Sequence, residues 1–326
     1  MTKGYLGIDI GSISTKGVII DENRAIIARS YLWTEGNPTE ASKNVVRELE
    51  RQVEGAGVDI VGAGTTGSAR RLVGAMLGAS VIKNEITAHA VGTTHLHPDV
   101  RTILEIGGQD SKIIFLKDGV VRDFAMNTVC AAGTGSFLDR QAARLGMDLA
   151  EFGELALKSR KDVFIAGRCA VFAESDMIHK QQAGYAEADI VAGLCRALVR
   201  NYLNNLARGK QLEGPVLFQG GVAANPGIVR AFERELGLMV VVPDHFEVMG
   251  ALGAALLAEQ AVQRSGATHF RGWGGWDREY ATQGFDCQGC ANSCEVMRVL
   301  ADGKTLAVWG DQCGRWSEVR AHASAE

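Results

Sequence analysis

Two short segments of this chain carry the same pattern of acid, glycine, hydroxyl residue and lysine. Residues 9–16 (DIGSISTK) and 105–112 (EIGGQDSK) each follow an apolar strand and lead into another. A glycine turn between two strands exposes backbone N–H groups that bind phosphate oxygens, with hydroxyl and lysine side chains nearby. An acid at the strand end can hold Mg²⁺ through its water shell. The repeat therefore predicts two hairpin loops that clamp a nucleotide in a cleft between lobes.

The predicted phosphate site has two groups of residues. The candidates for catalysis and Mg²⁺ are Asp9, Glu105, Gln109 and Asp110. Either Gln109 or Asp110 could orient the attacking water, and the sequence leaves that choice open. The candidates for phosphate binding are the other loop residues: Gly11, Ser12, Ser14, Thr15, Lys16, Gly107, Gly108, Ser111 and Lys112. We expect the two lysines to neutralise phosphate charge.

A lone cysteine, Cys130, lies just before a Gly-Thr-Gly turn, with no second cysteine at CxxC distance. It could be a packed thiol, a nucleophile or half of a metal site. Cys169 also precedes a predicted helix, and a helix N-terminus favours a thiolate and an anionic cluster. Two thiolates cannot complete a four-cysteine iron–sulfur site, but a two-fold dimer can supply four. A nucleophile would need a base, and only His179 lies in a suitable motif.

Strands and helices alternate along the rest of the chain, which predicts an α/β fold. We predict six helices by apolar periodicity. They span residues 39–52, 137–143, 150–159, 170–180, 188–207 and 226–235. Cys195 lies on the apolar stripe of the fifth helix and is expected in the core.

Length and charge limit the classes of protein. A chain of 326 residues predicts two domains or one two-lobed unit. The net charge of −4 argues against sequence-independent nucleic-acid binding. We find no secretory signal and no apolar run of membrane-spanning length. We therefore expect a soluble cytoplasmic protein, with no membrane or nucleic-acid partner, whose cysteines are thiols or metal ligands.

These segments together resemble the acetate/sugar kinase–heat-shock–actin superfamily. Residues 9–16 and 105–112 look like its two phosphate loops, FQGGVAANPGIV like its adenosine motif, and VMGALGAALLA like the helix that links its lobes. The motifs EIGGQDSK, NTVCAAGTGSFLD, GRCAVFAESDMI and QGGVAANPGIV narrow the match. In combination they resemble the BadF/BadG/BcrA/BcrD-type ATPases, which include the activators (component A) of 2-hydroxyacyl-CoA dehydratases.

The resemblance implies a two-lobed, actin-like ATPase built from duplicated ribonuclease-H-like domains. It implies ATP and Mg²⁺ as ligands, and it adds six nucleotide-binding candidates: Gly133, Thr134, Gly135, Gly220, Gly221 and Asn225. It also implies a homodimer with one bridging 4Fe–4S cluster, held by Cys130 and Cys169 of each subunit. Ferredoxin or flavodoxin would supply the electron, and a dehydratase or reductase would accept it.

The resemblance covers about the first four-fifths of the chain and ends near Gln263. We predict an N-terminal lobe at 1–100, a second lobe at 101–247, a linking helix at 248–263 and a cysteine-rich extension at 264–326. The extension contains Cys287, Cys290 and Cys294 close together. A strand, the turn ADGK and another strand follow, and then Cys313. Four thiols gathered by one hairpin suit either zinc or a second iron–sulfur cluster.

Two other functions remain open at this point. One is a small-molecule kinase of the same superfamily, although no catalytic acid facing a substrate pocket stands out. The other is a nucleotide-dependent regulatory module whose metals are structural.

Overall fold

The computed structural model describes residues 2–127 and 130–318, and it contains two five-stranded sheets followed by a smaller three-stranded sheet. In the first sheet the order is β3-β2-β1-β4-β5. Its strands are β1 (Thr2–Ile10), β2 (Ser14–Asp21), β3 (Ile26–Trp33), β4 (Val58–Gly67) and β5 (Val81–Ile82). The associated helices are α1 (Pro38–Val53), α2 (Arg70–Leu77) and α3 (Glu85–Leu96).

The second sheet repeats this arrangement. Its order is β10-β9-β6-β7-β8, which is the first order read from the opposite edge. The strands are β6 (Thr102–Ile106), β7 (Ser111–Lys117), β8 (Val120–Asn127), β9 (Val216–Gln219) and β10 (Val240–Val241). The helices are α4 (Gly135–Leu145), α5 (Leu149–Leu157), α6 (Ala170–Gln182), α7 (Glu187–Leu206), α8 (Pro226–Leu236) and α9 (Met249–Ser265).

The strand registers show that the sequence repeat is also a structural repeat. Asp9 pairs with Lys16 across β1 and β2, and Glu105 pairs with Lys112 across β6 and β7. Both hairpins are antiparallel, whereas β4 and β9 run parallel to the strands β1 and β6 beside them. The predicted duplicated α/β fold is thus confirmed.

Helices α3 and α9 cross with their backbones in contact. A Cβ atom on Gly253 of α9 would overlap the carbonyl oxygen of Ala88 in α3. Gly7 of β1 likewise has no room for a Cβ beside Ala251. Glycine is therefore required for the close packing of α9 on both α3 and the first sheet.

The extension folds back on the first sheet. A 3₁₀ turn at Trp273–Asp277 buries Trp276 in the core formed by β1, α1 and α2. The Tyr280 hydroxyl donates a hydrogen bond to the Gly275 carbonyl at 2.7 Å. The third sheet follows, with strands β11 (Tyr280–Asp286), β12 (Glu295–Ala301) and β13 (Lys304–Trp309), and the described chain ends in α10 (Arg315–Glu318).

The six helices predicted from periodicity correspond to α1 and α4–α8. The two predicted strands of the extension are β12 and β13, whereas β11 was not predicted. Cys195 is buried in α7, as expected. Among the described residues, no helix is both long and apolar enough to span a bilayer. The predicted domain boundaries at residues 100, 247 and 263 stay predictions.

Candidate functional site

The two predicted phosphate loops have the same turn geometry and touch each other. The Gly11 N–H donates to the Ser14 carbonyl, and the Gly107 N–H donates to the Asp110 carbonyl, each at 3.0 Å. A Cβ atom on Gly108 would lie 2.6 Å from Cγ1 of Ile13 in the first loop. The loops therefore meet across one cleft, with their backbones close to whatever fills it.

Most of the predicted phosphate-site residues line this cleft. The lining residues among them are Asp9, Gly11, Ser12, Ser14, Lys16, Glu105, Gly107, Gly108, Gln109, Asp110 and Lys112. Thr15 and Ser111 are fully buried beneath the surface instead. The Thr15 hydroxyl contacts the hydroxyl of Thr34 at 2.9 Å, and Thr34 donates to the Gly11 carbonyl at 2.8 Å. Thr15 thereby supports the first loop from below.

Asp9 and Lys16 form an ion pair at the floor of the cleft. Their side chains approach to 3.5 Å, and the Asp9 carboxylate is buried. Burial is the largest effect on Asp9 and opposes its ionisation, but Lys16, His89 and Lys112 together outweigh it and hold the Asp9 pKa below its usual range. A Cβ atom on Gly250, at the start of α9, would lie 2.7 Å from Asp9 Oδ2. Asp9 is therefore held rigidly against the first turn of α9.

Lys112 is surrounded by three carboxylates, an arrangement that the sequence analysis did not anticipate. Its ammonium lies 2.8 Å from Glu85 Oε2. It lies 3.0 Å from both Glu105 Oε2 and Asp110 Oδ2. Burial alone would lower the Lys112 pKa, but these acids raise it, so the lysine stays charged. Burial raises the Glu105 pKa to about 7, against the attraction of Lys112.

A buried polar chain runs beneath the loops from α3 to β9. The Thr93 hydroxyl lies 2.7 Å from both the His89 carbonyl and Gln219 Oε1, and Gln219 Nε2 lies 2.7 Å from His89 Nδ1. A Cβ atom on Gly250 would lie 2.7 Å from Asp9 Oδ2 and 3.3 Å from His89 Nε2, so both side chains face the first turn of α9. Burial lowers the His89 pKa to about 4. Glu85 and His89 both come from α3 and were missed from the sequence.

The cleft extends into a second pocket lined by the glycine pair after β9. Gly220, Gly221 and Asn225 line it, and Gly135 and Trp33 lie on its other walls. Asn225 Oδ1 accepts from the Ile228 N–H at 3.1 Å and caps α8. Asn225 Nδ2 is buried and has no hydrogen-bond partner among the described residues. An unpaired donor in a largely apolar pocket suits a base or ribose acceptor.

Gly133 and Thr134 do not line either pocket. Both are buried in the turn before α4, where the Thr134 hydroxyl donates to the Ala131 carbonyl at 2.9 Å. Asn201 contacts this turn as well, because a Cβ on Gly133 would lie 2.7 Å from Asn201 Oδ1. These two candidates thus shape the turn that carries Cys130.

The cleft residues fit a magnesium–nucleotide complex. Magnesium takes oxygen ligands and is usually held by one or two carboxylates together with phosphate groups and water. Four carboxylates from Asp9, Glu85, Glu105 and Asp110 line the cleft against the lysines Lys16 and Lys112. No three histidine, cysteine or acidic side chains within residues 2–127 and 130–318 converge as a ready-made metal cage. Phosphate oxygens would therefore have to complete the coordination of the ion.

The Asn201 side chain connects Cys130 to the segment that precedes Cys169. Asn201 Nδ2 lies 3.6 Å from Cys130 Sγ and donates to the Gly167 carbonyl at 2.6 Å. Cys130 is the N-cap of the 3₁₀ turn Ala131–Gly133, and Cys169 is the N-cap of α6. Both cysteines are partly exposed. The structure therefore places two partly exposed cysteines at helical N-termini, on segments that Asn201 connects.

The four cysteines of the extension lie in the loop between β11 and β12 and in the segment after β13. Cys287 is buried, Cys294 is half-buried, and Cys290 and Cys313 are exposed. They are separate from Cys130 and Cys169, which precede elements packed on the second sheet.

The duplicated sheets and the polar cleft between their loops define a two-lobed ATPase of actin-like fold. A family model described as the BadF/BadG/BcrA/BcrD ATPase family matches residues 6–258. The chain belongs to this family, and the family relationship predicted from the motifs is confirmed. It is therefore an ATP-binding ATPase. The matched region ends before the cysteine-rich extension.

Individual relatives agree with this membership. The 2-hydroxyisocaproyl-CoA dehydratase activator of Clostridioides difficile is 36% identical over 261 residues, covering 80% of this chain and 96% of that protein. The (R)-2-hydroxyglutaryl-CoA dehydratase activating ATPase of Acidaminococcus fermentans is 35% identical over 253 residues, covering 78% and 96%. The solved structure of the Clostridium difficile activator with bound ADPNP superposes with a TM-score of 0.72 at 36% identity, covering 82% and 97%.

Proposed function

We propose that this protein is an ATP-driven, low-potential electron donor that activates a dehydratase or reductase. Two subunits would share one 4Fe–4S cluster, held by Cys130 and Cys169 of each. Ferredoxin or flavodoxin would reduce the protein, and Mg²⁺–ATP in the cleft would drive delivery of the electron. The similarity to dehydratase activators supports the class of partner.

The observation that carries the proposal is the Asn201 bridge. By contacting both Cys130 and the carbonyl of Gly167, the Asn201 amide holds the two cysteine segments together. Two thiols on connected segments would supply half the ligands of a four-cysteine cluster, and a two-fold axis beside them would supply the other half. The bound cluster would supply one-electron redox chemistry at low potential.

The segments that lead to and follow Cys169 expose large apolar side chains that a partner subunit could cover. Phe164 is 68% exposed, and Val171 and Phe172 in the first turn of α6 are 67% and 64% exposed. Large apolar side chains grouped on a surface mark a protein interface more often than a solvated face. This supports a dimer contact at the cysteines.

The nucleotide cleft is connected directly to the Cys130 segment. The Gly135 N–H donates to the Gly107 carbonyl, and the Ser136 N–H donates to the Gly108 carbonyl, both at 2.9 Å. The Ser136 hydroxyl also donates to the Gly108 carbonyl, at 2.5 Å. Any shift of the second phosphate loop on nucleotide binding or hydrolysis would therefore move the start of α4 and the turn before it.

ATP can change the position of the cysteines only through a difference in affinity between two conformations. The cleft has groups that could produce such a difference, because its charged side chains come from both hairpins and from α3. Closure around the phosphates would bring Lys16 and the second loop onto the same ligand. Hydrolysis and phosphate release would remove that link and allow the other conformation to return.

The test is iron and acid-labile sulfide per dimer in full-length protein purified without oxygen, together with its mass in solution. Cys130→Ser and Cys169→Ser should each lose the bridging iron, and the dimer should weaken because the shared ligand binds only the assembled state. ATP binding should persist in both variants. Cys195→Ser, which changes a buried thiol, should keep iron and dimer. Retention of iron by both ligand variants would overturn the proposal.

A further inference from the structure

The third sheet brings all four cysteines of the extension to one of its ends. Strand β11 ends at Asp286, β12 begins at Glu295, and β13 ends at Trp309. Because these strands are antiparallel neighbours, those three points share one edge. The loop with Cys287, Cys290 and Cys294 and the segment with Cys313 therefore leave the sheet together.

The loop between β11 and β12 is closed by its cysteines. The Cys287 N–H donates to the Cys294 carbonyl at 2.8 Å, which extends the pairing of Asp286 with Glu295 by one step. Residues opposite each other in such a pair have Cβ atoms about 4.5–5.5 Å apart on one face. The Gly289 N–H points to Cys287 Sγ at 3.4 Å. Such an N–H···S contact stabilises a thiolate and orients it.

The Cys313 segment is folded against this loop. Asn292 Nδ2 in the loop lies 3.4 Å from Gln312 Oε1, next to Cys313. A Cβ atom on Gly289 would overlap the guanidinium of Arg315. The rings of Phe285 and Trp316 pack edge to face with centroids 4.9 Å apart. These contacts hold the segment that carries Cys313 against the loop and bring the positive charge of Arg315 to it.

The third sheet has little apolar core of its own. Its buried apolar residues within the three strands are Val296, Val299 and Ala301. A unit this small normally needs disulfides, a metal or another staple to hold its fold. Metal binding to four thiolates would supply that stabilisation.

We propose that Cys287, Cys290, Cys294 and Cys313 bind one zinc ion in a closed, structural tetrathiolate site. The Cys-x₂-Cys loop and the cross-strand partner Cys294 would supply three sulfurs after rotation of their side chains, and Cys313 would complete the tetrahedron. The four thiols release their protons to solvent, and Arg315 offsets part of the resulting negative charge. Cys290 and Cys313 are exposed, so their side chains are free to rotate onto the ion. The site is independent of Cys130 and Cys169.

The test measures zinc and iron in the full-length protein, purified without oxygen from medium containing both metals. The wild-type protein and Cys195→Ser should contain a single zinc ion per chain. Cys290→Ser and Cys313→Ser should lose most of that zinc while keeping their ATP binding, because both positions are exposed and neither lines the cleft. The double variant Cys130→Ser/Cys169→Ser should keep its zinc, which separates this result from the proposed bridging cluster.

A second measurement replaces zinc with cobalt in the full-length chain. Tetrahedral cobalt bound to thiolates should show intense visible bands and thiolate charge transfer in the wild-type protein, and both should be lost in Cys290→Ser. Loss of iron and sulfide, rather than zinc, from the Cys290→Ser and Cys313→Ser variants would overturn the proposal in favour of a second cluster. Unchanged metal in both variants, or a disulfide between these cysteines in the purified protein, would also overturn it.

Discussion

The Lys112 ammonium lies 2.8 Å from the carboxylate of Glu85, and this contact joins the helix leading out of the first sheet to a strand of the second. Lys112 is almost completely buried, at 2% side-chain exposure. The pair is thus a charged contact between the two halves of the molecule, directly under the phosphate loops. It gives α3 a part in the site that no sequence motif indicated.

Removing Lys112 should be far more damaging than removing the charge of Glu85. Lys112→Met leaves three carboxylates without their cation and should cost about 3–5 kcal/mol in folding free energy. Glu85→Gln leaves Lys112 paired with Glu105 and Asp110, and should cost about 1 kcal/mol. Thermal unfolding of nucleotide-free protein in EDTA measures both. Equal losses of folding free energy in the two variants would contradict the conclusion that Lys112 neutralises three carboxylates.

Asp9→Asn should slow ATP hydrolysis by about 10- to 100-fold, because we propose that Asp9 orients hydrated Mg²⁺. The remaining activity should require more Mg²⁺ than the wild-type activity does. Asp118→Asn is the matched control, since Asp118 lies at the exposed turn of the second hairpin and asparagine tolerates its positive φ of 54°. The measurement is ATP turnover over a range of Mg²⁺ concentrations. An unchanged rate in Asp9→Asn would show that Asp9 has no role in hydrolysis.

Asn201→Ala should reduce the iron content while leaving ATP affinity intact. The substitution removes the donor that holds the Gly167 carbonyl and contacts Cys130 Sγ, so the two thiols lose their common support. Asn204→Ala, an exposed neighbour on the same helix, should retain full iron. Iron per dimer and nucleotide titration are the two readouts. Full iron in Asn201→Ala would show that the bridge is dispensable.

His89 should make the fold less stable in mild acid. Its pKa is about 4 in the folded protein, where it faces Asp9, Asp110, Lys16 and Lys112, against an ordinary value of about 6.5. Between these values the unfolded chain binds more protons, so stability falls as pH drops from 6.5 towards 4. The total loss from this group is about 3 kcal/mol.

His89→Asn should therefore lose less stability than the wild-type protein over the same pH interval. The asparagine amide can still form a hydrogen bond with Gln219 but does not titrate. His179→Asn, on the exposed part of α6, should leave the wild-type slope unchanged. The measurement is the unfolding free energy against pH in EDTA, without nucleotide. Parallel curves for His89→Asn and the wild-type protein would show that protonation of His89 does not cause the loss of stability in acid.

The sequence was sufficient for those features that depend on local pattern. The repeat of residues 9–16 and 105–112 predicted both hairpins, because glycine turns and strand pairing are set by neighbouring residues. The same pattern predicted most of the cleft lining. It also placed Cys195 in the core, since an apolar helical stripe specifies which residues face inward.

The features that depend on distant contacts were not predictable from pattern. Helix α3 is mostly buried, and its polar and apolar residues do not separate onto opposite sides. No amphipathic pattern therefore predicted this helix, and Glu85 and His89 were not identified as site residues. Lys112 was expected at the phosphates, yet its position follows from three acids that come from different elements. Thr15 and Thr134 fit the loop motifs but are buried beneath the cleft, because a motif does not specify which side chain faces the ligand.

The hydrogen bonds between the second phosphate loop and the start of α4 have an evolutionary consequence. Two of them join main-chain atoms, at Gly107 with Gly135 and at Gly108 with Ser136. A main-chain bond survives most substitutions. If the protein donates electrons as proposed, side chains around Cys130 can therefore change to suit another electron acceptor while the contact with the phosphate loop is kept. The same ATPase module can then serve different redox partners, because substitutions do not remove the hydrogen bonds that connect it to the Cys130 segment.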